Sequence, residues 1–127
     1  MPTFTGDEYD LVYLLTTVET LIEHGFRPVF TDRNASLAFC KHSDLLPDLD
    51  TLVDWDVMEA TMWANSPDDP DRMERRMAEC LVHDQVPWEA LTQIVVYDQT
   101  RAERVRTALA TLEVAIPPIR VSPGSYF

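Results

Sequence analysis

The stretch Gln93–Leu112, QIVVYDQTRAERVRTALATL, decides the fold class. Its first five residues, Gln93–Tyr97, form the most strongly strand-like run in the chain, because β-branched and aromatic residues favour extended backbone. Thr100 is predicted to cap a helix that ends near Leu112, since apolar residues then recur every third or fourth position. Another strand is predicted at Ile119–Val121. The resulting strand-helix-strand unit indicates a mixed fold of the α+β class, with short strands flanked by helices.

The same alternation continues towards the N-terminus. Leu11–Leu15 is predicted to be a strand buried on both faces, followed by a helix that Thr16 or Thr17 caps and Gly25 closes. Pro28–Thr31 is predicted to be the next strand. The helix expected after it begins at Asp32 or Asn34 and ends near His42.

The middle of the chain is less regular. An acidic connection precedes a helix predicted over Trp55–Trp63, and the proline-rich and aspartate-rich segment Ala64–Pro70 has the composition of a loop. A short basic helix is expected at Arg72–Arg76, and a strand at Met77–Val82. No internal repeat interrupts this order.

Length and targeting signals suggest one cytoplasmic domain. The 127 residues are enough for a real core, and we expect residues 1–10 to be a loose lead-in and residues 11–127 a single domain. The first residues lack the order of a signal peptide, and no apolar run is long enough to span a membrane. Cys40 and Cys80 lie far apart without a CxxC motif, which favours reduced thiols and no zinc site.

Charge is distributed unevenly along the chain. The formal net charge is −12, and residues 1–70 contribute −11 of it (3 bases against 14 acids), whereas residues 71–127 contribute −1 (7 bases against 8 acids). A molecule this acidic repels polyanions at long range, which argues against tight independent binding to nucleic acid. Any contact with phosphates is therefore expected from the second part of the chain.

Glu79 is the first candidate for a catalytic residue. It lies in the predicted apolar strand, where alternation would place it on one face with Met77 and Leu81. A carboxylate in such a place is costly unless it is paired, solvated at a cleft or used in chemistry. The structural alternative is an edge strand from which Glu79 points at water.

Three arginines and one histidine are the other candidates. Arg72, Arg75 and Arg76 share one helical face and form the densest basic cluster, and guanidinium groups suit phosphate oxygens. They could equally pair with nearby acids on a solvated helix. His83 follows the Glu79 strand and could line a cleft. No two histidines have the spacing of metal ligands, so no metal site is predicted.

Several segments together resemble the family of DarT-type DNA ADP-ribosyltransferase toxins, also known as a domain of unknown function, DUF4433. The resemblance follows the family's order along nearly all of the chain, and the matching segments are Pro28–Ser36 (VFTD-x-x-A), Leu52–Asp56 (LDW), Trp63–Arg72 (W-N-x-x-D-D-P-D-R), Arg75–His83 (R-x-x-A-E-F-L-V), Val86–Glu89 and Ile94–Tyr97.

The resemblance implies a fold and an activity. The family transfers ADP-ribose from NAD⁺ onto thymine in single-stranded DNA, and this chain is similar to the C-terminal half of its ADP-ribosyltransferase fold. Glu79 matches the glutamate that orders the nicotinamide ribose. Residues 65–76 match the loop and helix that face DNA, which would make Arg72, Arg75 and Arg76 phosphate contacts. Cys80 stands where the family usually has Phe, which would loosen local packing.

The family's N-terminal, NAD-gripping half has no counterpart in this sequence. The resemblance therefore implies that NAD⁺ binds only if another chain, or dimerisation, completes the pocket. Expected partners are single-stranded DNA, a macrodomain-type antitoxin or a complementing N-terminal half, in a homo-oligomer or hetero-complex, since open sheet edges pair with other chains. Two alternatives stay open: a non-enzymatic binding or decoy protein of a toxin–antitoxin system, and a small enzyme of glycosyl transfer or hydrolysis on nucleosides or nucleotides.

Overall fold

A computed structural model describes Thr3 and residues 5–126 of the chain and confirms the predicted α+β class. Short 3₁₀ turns connect the regular elements. In chain order these elements are β1 (Tyr13–Leu15), α1 (Val18–Glu23), β2 (Val29–Thr31), β3 (His42–Ser43), α2 (Leu49–Leu52), α3 (Trp55–Glu59), α4 (Arg72–Arg76), β4 (Cys80–Leu81), β5 (Gln93–Val96), α5 (Gln99–Ala110) and β6 (Ile119–Val121).

The chain forms two compact units. The terminal unit contains the two ends of the chain, up to His24 and from Val86 onwards, and the central unit is Gly25–Gln85. Each unit has its own three-stranded sheet. That residues 11–127 form a single domain stays a prediction.

The terminal unit is organised around β5, the strand that the sequence predicts most strongly. Its sheet has the order β1-β5-β6, with Leu14 opposite Ile94 in the antiparallel pair and Val95 opposite Arg120 in the parallel pair. A parallel pair needs a crossover connection, and α5 provides it. A hydrophobic core forms from Ile94, Val96 and the helix residue Ala102, all nearly inaccessible to solvent. The predicted strand-helix-strand unit is confirmed.

Two details of the terminal unit differ from the predictions. The residue that caps α5 is Asp98, whose carboxylate accepts a hydrogen bond from the Arg101 N–H, so Thr100 already lies inside the helix. Strand β1 is not buried on both faces, because it is an edge strand paired only with β5, and Leu14 is 54% exposed. The predicted N-cap of α1 is confirmed at Thr17, and Gly25 follows the helix with a φ of +87°, which glycine adopts at little cost.

Tyrosines anchor the residues before β1 within the terminal unit. The rings of Tyr9 and Tyr97 lie 4.2 Å apart, and Tyr126 contacts both Tyr13 and Tyr97. The Tyr126 hydroxyl donates hydrogen bonds to the carbonyl oxygens of Leu11 and Val95, at 2.7 and 3.2 Å. Burial raises the pKa of this hydroxyl above its ordinary value.

The central unit is built on β2, which pairs antiparallel with β3 on one side and β4 on the other. Phe30 in β2 is almost fully buried. The helix predicted to end near His42 is wrong, because residues 35–39 form turns and His42 belongs to β3. In those turns the Asn34 side chain accepts a hydrogen bond from the Ser36 N–H, which is how asparagine competes with helix formation.

Helix α3 is shorter than predicted. The sequence suggests a helix over Trp55–Trp63, but α3 ends at Glu59, and Asp54 caps its first turn. Carbonyl groups at and just beyond the end of α3 accept hydrogen bonds from Arg76, which lies outside the helix. An external cation that satisfies these carbonyls stabilises the helix end at this place.

Candidate functional site

Glu79 directly precedes strand β4 and does not lie in the middle of a longer strand. The predicted strand Met77–Val82 is reduced to Cys80–Leu81 because the chain is still turning when it leaves α4. The Met77 and Ala78 N–H groups donate to the carbonyls of Glu74 and Arg75, so extended backbone begins only at Glu79. Among the described residues β4 pairs only with β2, so it is an edge strand, as in the structural alternative; the Glu79 carboxylate, however, is engaged within the protein and does not simply point at water.

The backbone of Glu79 is fixed by Thr31, a buried residue at the end of β2. The Glu79 N–H donates to the Thr31 hydroxyl at 2.9 Å, and the Thr31 N–H donates to the Glu79 carbonyl at 2.9 Å. The Thr31 hydroxyl in turn donates to the Arg33 carbonyl at 2.6 Å. One hydroxyl therefore joins the residue before β4 to the turn after β2.

The Glu79 carboxylate is oriented by the same turn. Its Oε2 atom accepts a hydrogen bond of 2.9 Å from the Ala35 N–H. Within the described residues, the other oxygen, Oε1, accepts no hydrogen bond, and Glu79 is only partly buried. A carboxylate with one oxygen held and one oxygen free can accept a hydrogen bond from a ligand hydroxyl, or stabilise positive charge that develops beside it.

Arg33 lies at the centre of a network that sequence reasoning missed. Its side chain is only 13% exposed and pairs with Asp32 at 3.2 Å and with both Asp71 and Glu74 at 3.4 Å. The guanidinium also lies 5.0 Å from the centre of the Phe39 ring. The only sequence signal was its place between two polar residues after a strand, and its partners are 38 and 41 residues away.

The three arginines of α4 make very different contacts. Arg75 pairs with Asp54, Asp69 and Asp71, and its hydrogen bond to Asp69 raises the pKa of the guanidinium. Arg76 Nη1 donates to three backbone carbonyls at 2.6 to 2.9 Å, and its guanidinium lies over Trp63. Both side chains are therefore engaged in holding the central unit together.

Arg72 is the arginine of α4 most available to a ligand. Its one ion pair among the described residues is a long contact of 4.0 Å from Nε to Asp69, and the side chain is partly exposed. Its Nε is buried and, like that of Arg75, makes no hydrogen bond among the described residues, so any ligand would meet the outer guanidinium nitrogens. In the same part of the chain, no hydrogen bond or ion pair joins Glu79 to any of these three arginines.

The loop before α4 has a defined shape. Ser66 and Asp69 exchange backbone hydrogen bonds of 3.1 Å in each direction, which closes a tight turn. The Asn65 side chain accepts a hydrogen bond of 2.8 Å from the Met73 N–H and so occupies a free donor of the first turn of α4. The sequence predicted a loop here, and these contacts make it an ordered one.

The other predicted site residues are less engaged. His83 is exposed and lies beyond the end of β4, and its imidazole makes no hydrogen bond within the described ranges. Burial raises the pKa of the Cys80 thiol, so it remains protonated and weakly nucleophilic near neutral pH. Among the residues described, no group of three or more histidine, cysteine, aspartate or glutamate side chains could hold a metal ion, and no helix could cross a membrane.

A groove of about 300 Å³ on the terminal unit is a weaker candidate site. Arg101, Arg104 and Asp10 supply its polar lining. The positive charge of Arg101 is balanced by Asp10 and Asp98, at 3.0 and 2.7 Å. The groove therefore offers little net attraction for an anion. The arrangement at Glu79 is the stronger candidate for a catalytic site.

Comparison with known proteins agrees with the family resemblance seen in the sequence. Residues 2–127 match the family model described as "ssDNA thymidine ADP-ribosyltransferase, DarT". The chain is 32% identical over 124 residues to a DNA ADP-ribosyl transferase of Mycobacterium tuberculosis, covering 98% of this chain and 54% of the relative. A DNA ADP-ribosyl transferase of Thermus aquaticus is 32% identical over 125 residues, which is 98% of this chain and 53% of the relative.

Solved structures give the same result. The fold superimposes with a TM-score of 0.88 on Thermus sp. 2.9 DarT in complex with carba-NAD⁺, at 27% identity over 98% of this chain and 62% of that one. The TM-score is also 0.88 for the same protein in complex with ADP-ribosylated ssDNA, where 98% and 58% of the two chains are covered. The chain thus spans about half the length of the curated relatives it matches.

Proposed function

We propose that this chain, which belongs to the family of DarT single-stranded DNA thymidine ADP-ribosyltransferases, supplies the glutamate-bearing part of an enzyme that transfers ADP-ribose from NAD⁺ to thymine in single-stranded DNA. The family resemblance indicated by the sequence motifs is thereby confirmed. Because the chain spans about half of its relatives, the proposed activity requires a second polypeptide segment that completes the NAD⁺ pocket.

The observation that carries this proposal is the geometry of the Glu79 carboxylate. The Ala35 N–H holds Oε2 at 2.9 Å, and Thr31 fixes the backbone of Glu79, so the group is oriented before any ligand binds. Preorganised charge of this kind stabilises charge that develops in a transition state. Glu79 is proposed to accept a hydrogen bond from the nicotinamide ribose and to stabilise the oxocarbenium-like transition state.

The proposed reaction breaks one bond and forms another at the same carbon. The bond between ribose C1 and the nicotinamide nitrogen breaks, and nicotinamide leaves with the electron pair. A nucleophilic atom of thymine forms a bond to that carbon and releases its proton to solvent water. Glu79 is proposed to act by its position beside the breaking bond.

The proposed DNA contact lies on α4 and the ordered loop before it. Arg72 is the arginine best placed for a phosphate, because its side chain is partly exposed and its one ion pair among the described residues is long. Arg75 and Arg76, also proposed as contacts, already bind carboxylates and backbone carbonyls within the central unit. They act there chiefly by holding the shape of the surface that Arg72 occupies.

The proposal also names partners. NAD⁺ is the donor substrate, single-stranded DNA is the acceptor, and the polypeptide that completes the pocket is either a complementing N-terminal half or a second copy of the chain. A macrodomain-type antitoxin is the proposed regulator. The net charge of −12 makes the chain alone a weak DNA ligand, so the completing segment is expected to supply much of the attraction.

The main test is the substitution Glu79→Gln, made in the chain and assayed together with the complementary part of the Thermus sp. 2.9 relative. Transfer to a thymine-containing oligonucleotide, read by mass spectrometry, is expected to fall about 100-fold or more. The melting temperature should stay the same or rise. Glu89→Gln, at an exposed position on the terminal unit, is the matched control and should retain full transfer. Full transfer by Glu79→Gln would remove Glu79 from the proposed mechanism.

A second test concerns the acceptor side. Arg72→Ala is expected to raise the KM for single-stranded DNA about tenfold. The slope of the logarithm of the DNA-binding constant against the logarithm of the salt concentration should fall by about the amount that one phosphate contact contributes. Stability should change by about 1 kcal/mol or less, since the one ion pair of this side chain among the described residues is long and partly exposed. An unchanged KM, or a change in the KM for NAD⁺ instead, would place the DNA elsewhere.

A further inference from the structure

We propose that Arg33 is a positioning residue, which fixes helix α4 against the turn that orients Glu79. The significance of this geometry rests on the proposed function, because α4 carries Arg72 and the turn carries the amide that holds the Glu79 carboxylate. The contacts themselves are independent of that function. All of them lie within the central unit.

The backbone of residues 31–35 already holds Glu79 from one side. The Thr31 hydroxyl links the Glu79 N–H to the Arg33 carbonyl, and two residues later the Ala35 N–H reaches the carboxylate. The turn that begins at Arg33 is therefore part of the support of Glu79, whatever the Arg33 side chain does.

The Arg33 side chain connects the same turn to α4. Its Nη1 atom lies 3.4 Å from the carboxylates of both Asp71 and Glu74, which stand immediately before α4 and within it. The Phe39 ring covers the guanidinium, and only 13% of the side chain is exposed. Ion pairs with one partner this well shielded are screened less by salt than pairs between two exposed side chains. The planar guanidinium also suits several carboxylates at once.

These contacts tie α4 to one turn at both of its ends. At the start of the helix, the Arg33 guanidinium binds the α4 segment. Beyond the end of the helix, the backbone of Glu79, which follows α4 after only Met77 and Ala78, is hydrogen-bonded to the same turn region. In the sequence, Arg72 lies between Asp71 and Glu74, the two residues of this segment whose carboxylates Arg33 binds. Any shift of α4 therefore moves Arg72 relative to the Glu79 carboxylate, and Arg33 opposes that shift.

A functional readout distinguishes positioning from general stability. In the completed enzyme, Glu74→Gln is expected to lower transfer to DNA severalfold while leaving NAD⁺ hydrolysis by water unchanged, because the acceptor surface moves and Glu79 does not. Glu79→Gln lowers both reactions. If Glu74→Gln lowered hydrolysis and transfer equally, Arg33 would have only a structural role and the proposal would be wrong.

The decisive measurement is amide hydrogen exchange on the whole chain without NAD⁺, DNA or partner. Glu74→Gln is expected to speed exchange of the α4 amides about two- to fivefold, as loss of one partly exposed ion pair predicts. Arg33→Ala should speed it about tenfold or more, and Arg33→Lys, which keeps the charge, should lie in between. The β5 amides should not change in any of these variants. The matched control is Arg27→Ala, which removes an exposed ion pair with Asp44 in the same unit.

Two exchange results would also overturn the proposal. One is unchanged exchange of α4 in both Arg33→Ala and Glu74→Gln, and the other is an equal increase at α4 and β5. If Arg33→Ala does not fold, Glu74→Gln decides alone, since Glu74 is partly exposed and its ion pair with Arg33 is the one it makes among the described residues. Failure of the Glu79→Gln test would overturn the proposed function and leave the exchange result standing.

Discussion

Both units bury apolar side chains and contain ion pairs, but they differ in what chiefly holds their helices in place. The terminal unit buries a continuous apolar cluster between β5, β6 and α5. In the central unit the helices are one or two turns long, and arginines connect them to distant segments. Apolar burial suits a scaffold, because it is strong and non-directional. Directional charge contacts suit the unit that carries Glu79, because they fix the positions of polar groups.

The largest expected effect comes from the apolar core of the terminal unit. Ile94→Ala should lower the free energy of unfolding by about 2–5 kcal/mol, because Ile94 is 1% exposed and its loss leaves a cavity. Urea unfolding, monitored through the hydrogen exchange of the β5 amides, measures this loss of free energy.

Ile116→Ala is the matched control for this loss. Ile116 belongs to the same unit but is 40% exposed, so its removal should cost clearly less. Equal losses in the two variants would show that burial in the β5 core does not dominate the stability of this unit.

The corresponding change in the central unit is Arg76→Ala. Arg76 donates to the carbonyls of Val57, Met58 and Ala60, so the variant leaves these groups without their cation. A loss of about 1.5–3 kcal/mol is expected, as for hydrogen bonds that involve a charged group. Exchange of the α3 and α4 amides reports it, while the β5 amides should be unaffected.

Arg72→Ala serves as the control on the same helix. It removes a similar side chain that makes no hydrogen bond to α3 among the described residues and only a long ion pair to Asp69, so the α3 amides should exchange at the wild-type rate. A loss of stability in Arg72→Ala as large as in Arg76→Ala would contradict the division of the α4 arginines into supporting and ligand-facing residues.

The difference between the two units also explains which parts of the fold could be predicted from sequence. The order of elements from Gln93 to Val121 was predicted correctly, apart from the residue that caps the helix, because its signals are local: an apolar strand, a helix of regular period and a second apolar strand. The helix expected before His42 was wrong because Asp32 and Arg33 fix the turns through contacts that the local pattern does not encode. Lys41, for example, donates its N–H to the buried Asp32 carboxylate.

The candidate site was predicted in part for the same reason. Glu79 was identified because a carboxylate beside apolar residues is conspicuous in sequence, and the family motifs included it. Arg33 was missed because its carboxylate partners follow it by 38 and 41 residues. The three arginines of α4 looked equivalent by spacing, and only their contacts separate Arg72 from Arg75 and Arg76.

The smallest expected effect, and the most general test of the comparison, is the response to salt. Raising the NaCl concentration from about 0.05 to about 1 M shortens the Debye length to about 3 Å and weakens partly exposed ion pairs. Each such pair contributes about 0.2–1 kcal/mol to stability. Exchange of the α4 amides should therefore accelerate a few-fold, because Arg33 and Arg75 hold that helix through ion pairs. The β5 amides, protected by apolar burial, should exchange at the same rate or more slowly.

In Arg33→Ala the salt response of α4 should shrink, since part of the network is already gone. A response of equal size in both units would mean that charge contacts do not distinguish the central unit from the terminal one.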